Sequence, residues 1–228
     1  MRIGGFEKFS LIDYPGHICA IIFTVGCNFR CPFCHNPSLV EETNEKTFTE
    51  KQIFDFLEKR KGVLEAVTIT GGEPTMQPDL IPFIEKIKSM GYKVKLDSNG
   101  TDPDTLEKII GMGIVDYLAM DIKAPLSKYM QTVGRPVDAN AIAKSIELIK
   151  NSGIDYEFRT TVVKSLLPKE DFDEIGKMIQ GSKKYFLQKF IPTKILNPQF
   201  LKKVTYSDEE FDLIRTQMEQ YVDSCSIR

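Results

Sequence analysis

Apolar positions along the chain fall into two rhythms that take turns. Short apolar runs with β-branched or aromatic residues, at 18–23, 66–70, 93–97, 117–122, 156–163 and 184–190, read as strands. Between and after them, apolar residues recur at helical spacing near 50–60, 79–90, 103–112, 138–151, 170–180 and 207–222. Alternation of this kind is the pattern of parallel βα units, so an α/β fold is expected. Helix ends carry signals of their own. Thr49 with Gln52 and Ser207 with Glu210 have capping-box spacing, and Asp102-Pro103 is a cap followed by a first-turn proline. Gly91, Gly113 and Gly153 each follow a helical stretch, where a left-handed residue is wanted.

Six βα units are too few to close an eight-stranded parallel barrel. An open-sided partial (β/α)6 barrel fits the count, and a flat doubly wound sheet is the alternative, because strand order is not written in one sequence. No linker, internal repeat or low-complexity segment interrupts the pattern, so residues 1–228 are expected to form one domain. The stretch 192–206 is irregular and reads as a surface flap.

Composition narrows the class only a little. Thirty basic and 32 acidic residues give a net charge of −2, with no Lys/Arg-rich run that would argue for nucleic acid or a lipid surface. The opening residues lack the apolar core of a signal peptide, and the longest apolar run is too short to span a bilayer. A cytoplasmic protein is expected, so five cysteines are a poor disulfide framework, and three of them lie within eight residues.

That crowded segment is Gly26-Cys27-Asn28-Phe29-Arg30-Cys31-Pro32-Phe33-Cys34-His35-Asn36-Pro37. Spacings of four and three let the thiolates of Cys27, Cys31 and Cys34 converge on one metal centre. Structural zinc is normally closed by four ligands. A [4Fe–4S] cluster usually takes four cysteines, and three leave one iron free for another ligand. Zinc with His35 or a distant residue as fourth ligand is the alternative. Adjacent Cys34 and His35 would strain a shared tetrahedral site, and no second CxxC completes a common zinc pattern.

CxxxCxxC at the end of the first strand, with the aromatic Phe33 before the last cysteine, resembles the radical S-adenosylmethionine superfamily. The resemblance implies a partial barrel of the radical SAM type and a [4Fe–4S] cluster whose free iron is chelated by the methionine moiety of S-adenosylmethionine. Reductive cleavage of that cofactor to a 5′-deoxyadenosyl radical is implied with it. One βα unit later, Gly71-Gly72-Glu73-Pro74 matches the family's GGE motif, which is expected to bind the cofactor's amino group. Read without the resemblance, the two glycines are a turn that lets backbone approach backbone. The third strand ends Asp97-Ser98-Asn99-Gly100, by resemblance a contact to the cofactor's ribose and carboxylate, and otherwise an Asn-Gly turn.

Asp121 and Lys123 close the fourth strand on one face, as an ion pair or, by resemblance to glycyl-radical-enzyme activases, as the acidic-x-Lys motif of the active site. Asp97 and Asp121 are also candidates to share a monovalent cation, which would relieve two carboxylates facing one cavity. Arg159 and Gln188 are candidates for the cavity wall or for an exposed strand face. Cys19 reads as a buried small hydrophobe, Cys225 as too isolated to be a ligand, and His17 has no assigned role.

Cys34-His35-Asn36-Pro37 resembles the CHNP signature of glycyl-radical-enzyme activating proteins. The opening Gly4-Gly5-Phe6 through Tyr14-Pro15-Gly16 resembles activating proteins of anaerobic ribonucleoside-triphosphate reductase. Residues 38–65 contain no cysteine, unlike the cysteine-rich insert of several other activases, so a single cluster is expected. The implied partners are a large glycyl radical enzyme, with anaerobic ribonucleotide reductase foremost, and a low-potential electron donor such as flavodoxin or ferredoxin. Two alternatives stand beside this reading. One is a radical enzyme acting on a small molecule or nucleobase such as a deazapurine precursor; the other is a non-catalytic iron–sulfur or zinc module, for which the GGEP loop would be needless.

Overall fold

All six predicted strands pair side by side in chain order, and two further strands extend them at the edges. The computed structural model describes residues 1–43 and 47–228. In chain order its first half comprises β1 (Ile3–Ser10), β2 (Cys19–Thr24), α1 (Pro37–Val40), α2 (Glu50–Glu58), β3 (Ala66–Gly71), α3 (Leu80–Ser89), β4 (Lys93–Ser98) and α4 (Pro103–Met112). The second half comprises β5 (Tyr117–Asp121), α5 (Tyr129–Val133), α6 (Ala139–Lys150), β6 (Asp155–Val162), α7 (Asp171–Met178), β7 (Tyr185–Lys189), α8 (Asp208–Met218) and β8 (Cys225–Ile227). The sheet runs β1 to β8 in order; β1 joins antiparallel and every later pair is parallel. No pairing joins β8 back to β1 among the described residues, so the barrel stays open.

The predicted caps form. Thr49–Gln52 and Ser207–Glu210 are complete capping boxes, and Asp102 accepts from the Thr105 amide. Each satisfies amides that a helix start leaves orphaned. Gly113 ends α4 in the left-handed region at φ 63°.

Alternation along the strands separates two interiors. One face packs Ile22, Ile69, Leu96, Met120 and Phe158 beneath the helices, joined by Ile53 and Leu57 of α2, Ile84 and Ile87 of α3, and Ile142 and Ile146 of α6. At about 1.5–3 kcal/mol per large side chain, this layer holds most of the folding energy. The opposite face lines a lumen. Its lower part is filled by Cys19, Ile21, Ala66 and Tyr117, plugged by Tyr14 from the β1–β2 connection, whose ring lies 5.7 Å from that of Tyr117. Because β2 to β7 are parallel, their carboxyl ends share one rim, and the lumen widens there.

Candidate active site

The cysteine loop leaves β2 at that rim and is held from three sides. Gly26 donates to Leu39 O at 2.9 Å, and Arg30 donates from its amide to Val133 O at 2.8 Å. The Arg30 guanidinium turns back onto the loop, donating to Cys27 O at 2.6 Å and Phe29 O at 2.8 Å. On the third side the flap after β7 closes down. Asn197 donates to Pro32 O and Leu196 to Cys34 O, both at 3.0 Å. His35 Nε2 donates to Ile191 O at 2.9 Å, and its ring stacks on Phe190. His35 is thus tied to the flap through Nε2.

Burial pushes the thiols of Cys27 up to about 11 and Cys31 to about 12, with the neighbouring cysteines adding to the rise; burial raises Cys34 as well. Such thiols lose their protons to a bound metal rather than to solvent. The Phe29 amide donates toward Cys27 Sγ at 3.4 Å, and the Asn99 side-chain amide lies 4.0 Å from the same sulfur. Among the described residues, no three His, Cys, Asp or Glu side chains converge tightly enough for a single ion. Three thiols ringing a wider space, with N–H donors aimed at sulfur, suit a cluster of several irons.

The loop after β3 locks onto the cysteine loop by backbone alone. Gly72 donates to Thr24 O at 2.9 Å and Glu73 to Gly26 O at 2.8 Å. A Cβ on Gly72 would fall 1.9 Å from Gly26 O, and Gly71 sits at φ 115° with its Cβ position 2.4 Å from Thr24 N. Both glycines are required by that approach, as the plain backbone reading anticipates. Glu73 is 1% exposed. Its carboxylate accepts from the Thr75 hydroxyl at 2.6 Å and amide at 3.2 Å, the Ser98 hydroxyl at 2.9 Å and the Asn99 amide at 2.7 Å. Burial pushes its carboxyl up, and these four donors hold it back. Glu73 thus braces the β3 and β4 loops together. Asn99 extends the brace, donating from Nδ2 to Asn28 Oδ1 at 2.8 Å.

Across the lumen the charged residues form an alternating chain: Lys95, Asp97, Arg159, Asp121, Lys123. Lys95 Nζ pairs with Asp97 Oδ1. Arg159 donates from Nη1 to Asp97 Oδ2 at 3.2 Å and from Nε to Asp121 Oδ1 at 3.0 Å. Lys123 Nζ reaches Asp121 Oδ2 at 3.1 Å and sits 6.0 Å from the Phe33 ring. Arg159 thus bridges Asp97 and Asp121, the two carboxylates that are candidates to share a monovalent cation. Burial alone would raise the Asp121 carboxyl, but Arg159 and Lys123 outweigh it and pull it down to about 2. Burial would lower Lys123, yet Asp121 and Cys31 hold it raised and charged.

One cavity of about 460 Å³ brings together all the predicted site residues: Cys27, Cys31, Phe33 and Cys34 from the first loop, Gly71, Gly72 and Glu73 from the second, Asp97, Ser98 and Asn99 from the third, Asp121 and Lys123 from the fourth. Arg159 and Gln188 face it too, rather than an outer surface. Asp13 and Thr161 also line it, without a motif to mark them. Cys19 and Cys225 are buried in strands, outside this cavity, as expected. His17 contacts Glu65 and Lys93 instead.

Comparison with known proteins agrees with this geometry. Residues 21–180 match the model of the Radical SAM superfamily. A putative glycyl-radical enzyme activating enzyme of Methanocaldococcus jannaschii is 34% identical over 99% of this chain and 95% of its own length. The pyruvate formate-lyase-activating enzyme of Listeria monocytogenes is 36% identical over 54% of this chain and 53% of its own. Among solved structures, Streptococcus suis SuiB bound to S-adenosylmethionine superimposes with a TM-score of 0.68 at 14% identity, over 90% of this chain and 48% of that one, which speaks to the fold. With a family match across most of its length and a relative covered almost end to end, the chain belongs to the radical SAM superfamily, among the glycyl-radical-enzyme activating enzymes, which use a [4Fe–4S] cluster and S-adenosylmethionine.

Proposed function

We propose that this chain installs a glycyl radical on anaerobic ribonucleoside-triphosphate reductase, in the cytoplasm, with its cluster held by Cys27, Cys31 and Cys34. The observation that carries the reading is the lumen, which is lined by every predicted site residue and remains open because β8 does not meet β1. A glycine-bearing loop of a large partner can enter such a barrel from the side. A [4Fe–4S] cluster and S-adenosylmethionine, when bound there, would supply the radical chemistry that takes the α-hydrogen of that glycine.

The protein's own residues bind and orient. The carbonyls of the Gly71-Gly72-Glu73 turn and the Asp97-Ser98-Asn99 loop, whose Gly72, Glu73 and Asn99 amides are already bonded within the protein, form the cofactor wall, with Phe33 lining the same cavity. Lys123, kept charged by Asp121, faces the cysteine loop across the cavity and offers a cation to an anionic group. Asp121 and Lys123 are the pair assigned to the reaction, and Arg159 is a positioning residue that fixes both aspartates. Electrons come from a low-potential flavodoxin or ferredoxin.

Reconstituted enzyme, reduced and mixed anaerobically with S-adenosylmethionine and the reductase, should yield 5′-deoxyadenosine and a glycyl electron-spin-resonance doublet on the reductase. Asp121→Ala and Lys123→Ala should suppress the doublet while retaining iron. Formation of 5′-deoxyadenosine only with a small molecule, and with no glycyl radical enzyme becoming radical-bearing, would overturn the reaction class. A response from a different glycyl radical enzyme would overturn only the partner.

A further inference from the structure

The flap between β7 and α8 differs in charge from the rest of the chain. Residues 190–206 hold three lysines, Lys194, Lys202 and Lys203, and no aspartate or glutamate, in a protein whose total is −2. All three are exposed and make no ion pair among the described residues. Between them the same segment exposes Ile191, Leu201 and Val204. Apolar residues rimmed by unpaired lysines mark a surface made for another protein.

Loose lysine loops are common, but this one is fastened. Ile195 and Tyr206 are buried in the core beneath it, the Thr205 hydroxyl donates to Val162 O at 2.8 Å, and Lys164 donates to Val204 O at 3.0 Å. A surface fixed in this way binds without first being ordered. Its position is the informative part. Residues 190–206 are absent from the wall of the cavity of about 460 Å³. The flap is bonded instead to the outside of the cysteine loop, through Leu196 N–H to Cys34 O and Asn197 N–H to Pro32 O. From the flap surface to a cluster-ligating cysteine the path is a few covalent bonds and one hydrogen bond.

We infer that the 190–206 flap is the docking site of the electron donor, a small acidic one-electron carrier protein. This rests on the proposed cluster function. One electron leaves the carrier's reduced cofactor and one arrives at the cluster; the carrier is oxidised by that electron, and no bond or proton need move. Lys194, Lys202 and Lys203 meet the carrier's carboxylates, steering its approach, while Ile191, Leu201 and Val204 supply the dry contact.

The test uses the iron-loaded enzyme and whichever carrier, a reduced flavodoxin or a reduced ferredoxin, reduces its cluster. Binding of the carrier is titrated calorimetrically, and cluster reduction is followed by electron spin resonance. The triple reversal Lys194→Glu, Lys202→Glu, Lys203→Glu should weaken carrier binding and slow reduction by about tenfold or more at low salt. The deficit should shrink in about 1 M salt, where screening reaches within about 3 Å. Triple replacement by arginine should retain binding. Reduction by dithionite, and the glycyl radical that follows it, should be unchanged in the reversal, which separates this inference from the proposed function. Unaltered carrier binding and reduction in the reversal would overturn the inference, as would a reversal that loses the reductase while keeping the carrier.

Discussion

Tyr117 opens β5 and Asp121 closes it, and both face the lumen, because alternate residues of a strand share a side. Around the Tyr117 ring the neighbours are Cys19, Ile21, Ala66 and the plugging Tyr14, while its hydroxyl donates to the buried Glu157 at 3.0 Å. Around Asp121 they are Arg159, Lys123 and Asp97, and the space is left open. The same strands thus build a packed floor and, four residues further along β5, a charged layer that only partly compensates itself. Removing charges from water costs more than pairing them usually returns, so the upper layer is a poor way to gain stability. Its place at the strand ends, facing the cysteine loop, accords with the proposed chemistry instead.

The largest contrast should come from cysteines on the two sides of this divide. Cys27→Ala, Cys31→Ala or Cys34→Ala should each abolish binding of about four irons per chain after anaerobic reconstitution. Cys19→Ala, in the floor, should keep the iron and lose about 1 kcal/mol in urea unfolding, the cost of a small cavity. Iron retained in all three loop variants, or stoichiometric zinc in the wild type, would erase the distinction.

A smaller effect, and a sharper one, comes from Arg159. Arg159→Met alone should cost about 3 kcal/mol, because it leaves Asp97 and Asp121 facing each other uncompensated. The triple variant Asp97→Asn, Arg159→Met, Asp121→Asn should recover most of that in the same urea titration, while losing radical formation. If the triple variant is no more stable than the single, the upper layer stabilises the fold after all.

The smallest difference is one of pH. Asp121 titrates near 2 in the folded protein against an ordinary 3.8, so its contribution is complete above about pH 4 and lost as pH falls toward 2. Burial raises Tyr14 and Tyr117 above the usual 10, so the floor's hydroxyls favour folding below that value and cease to do so as pH rises past it. Urea midpoints across the acid limb should therefore flatten in the triple variant. The alkaline limb should flatten in Tyr14→Phe. An acid limb identical in wild type and triple variant would remove Asp121 from the account.

Much of this arrangement is legible in the residues themselves. The six parallel strands announce themselves by short apolar runs with β-branched or aromatic residues, and parallel order puts all their carboxyl ends on one rim, which gathers Cys27, Glu73, Asn99 and Lys123 without any knowledge of distances. The edges of the sheet are harder. β1 carries Gly4-Gly5 and mixed polar positions with no clean alternation, and β8 is three residues long, so neither departs from loop composition. Arg159 is visible as a candidate, but its task is not, because its two partners lie 62 and 38 residues away on β4 and β5. Asp13 belongs to a connection that enters the lumen only because Tyr14 is buried there. Glu73 is instructive in the other direction. Its motif places it at the site, while the structure directs its four hydrogen bonds inward to Thr75, Ser98 and Asn99.

The missing Cβ at Gly72 reaches beyond its own turn. With Gly26 O 1.9 Å from where that carbon would stand, the first two loops of the rim cannot be displaced separately, and neither has a side chain to trim in compensation. They behave as one cassette. A graft that carried the three cysteines into another barrel without the Gly71-Gly72 turn would bring the ligands but not the wall against which their loop is shaped. Any recombination of this enzyme with a relative should respect the seam: crossovers between residues 36 and 66 would need both parents to share the backbone fit, whereas crossovers after Asn99 would leave the cassette whole.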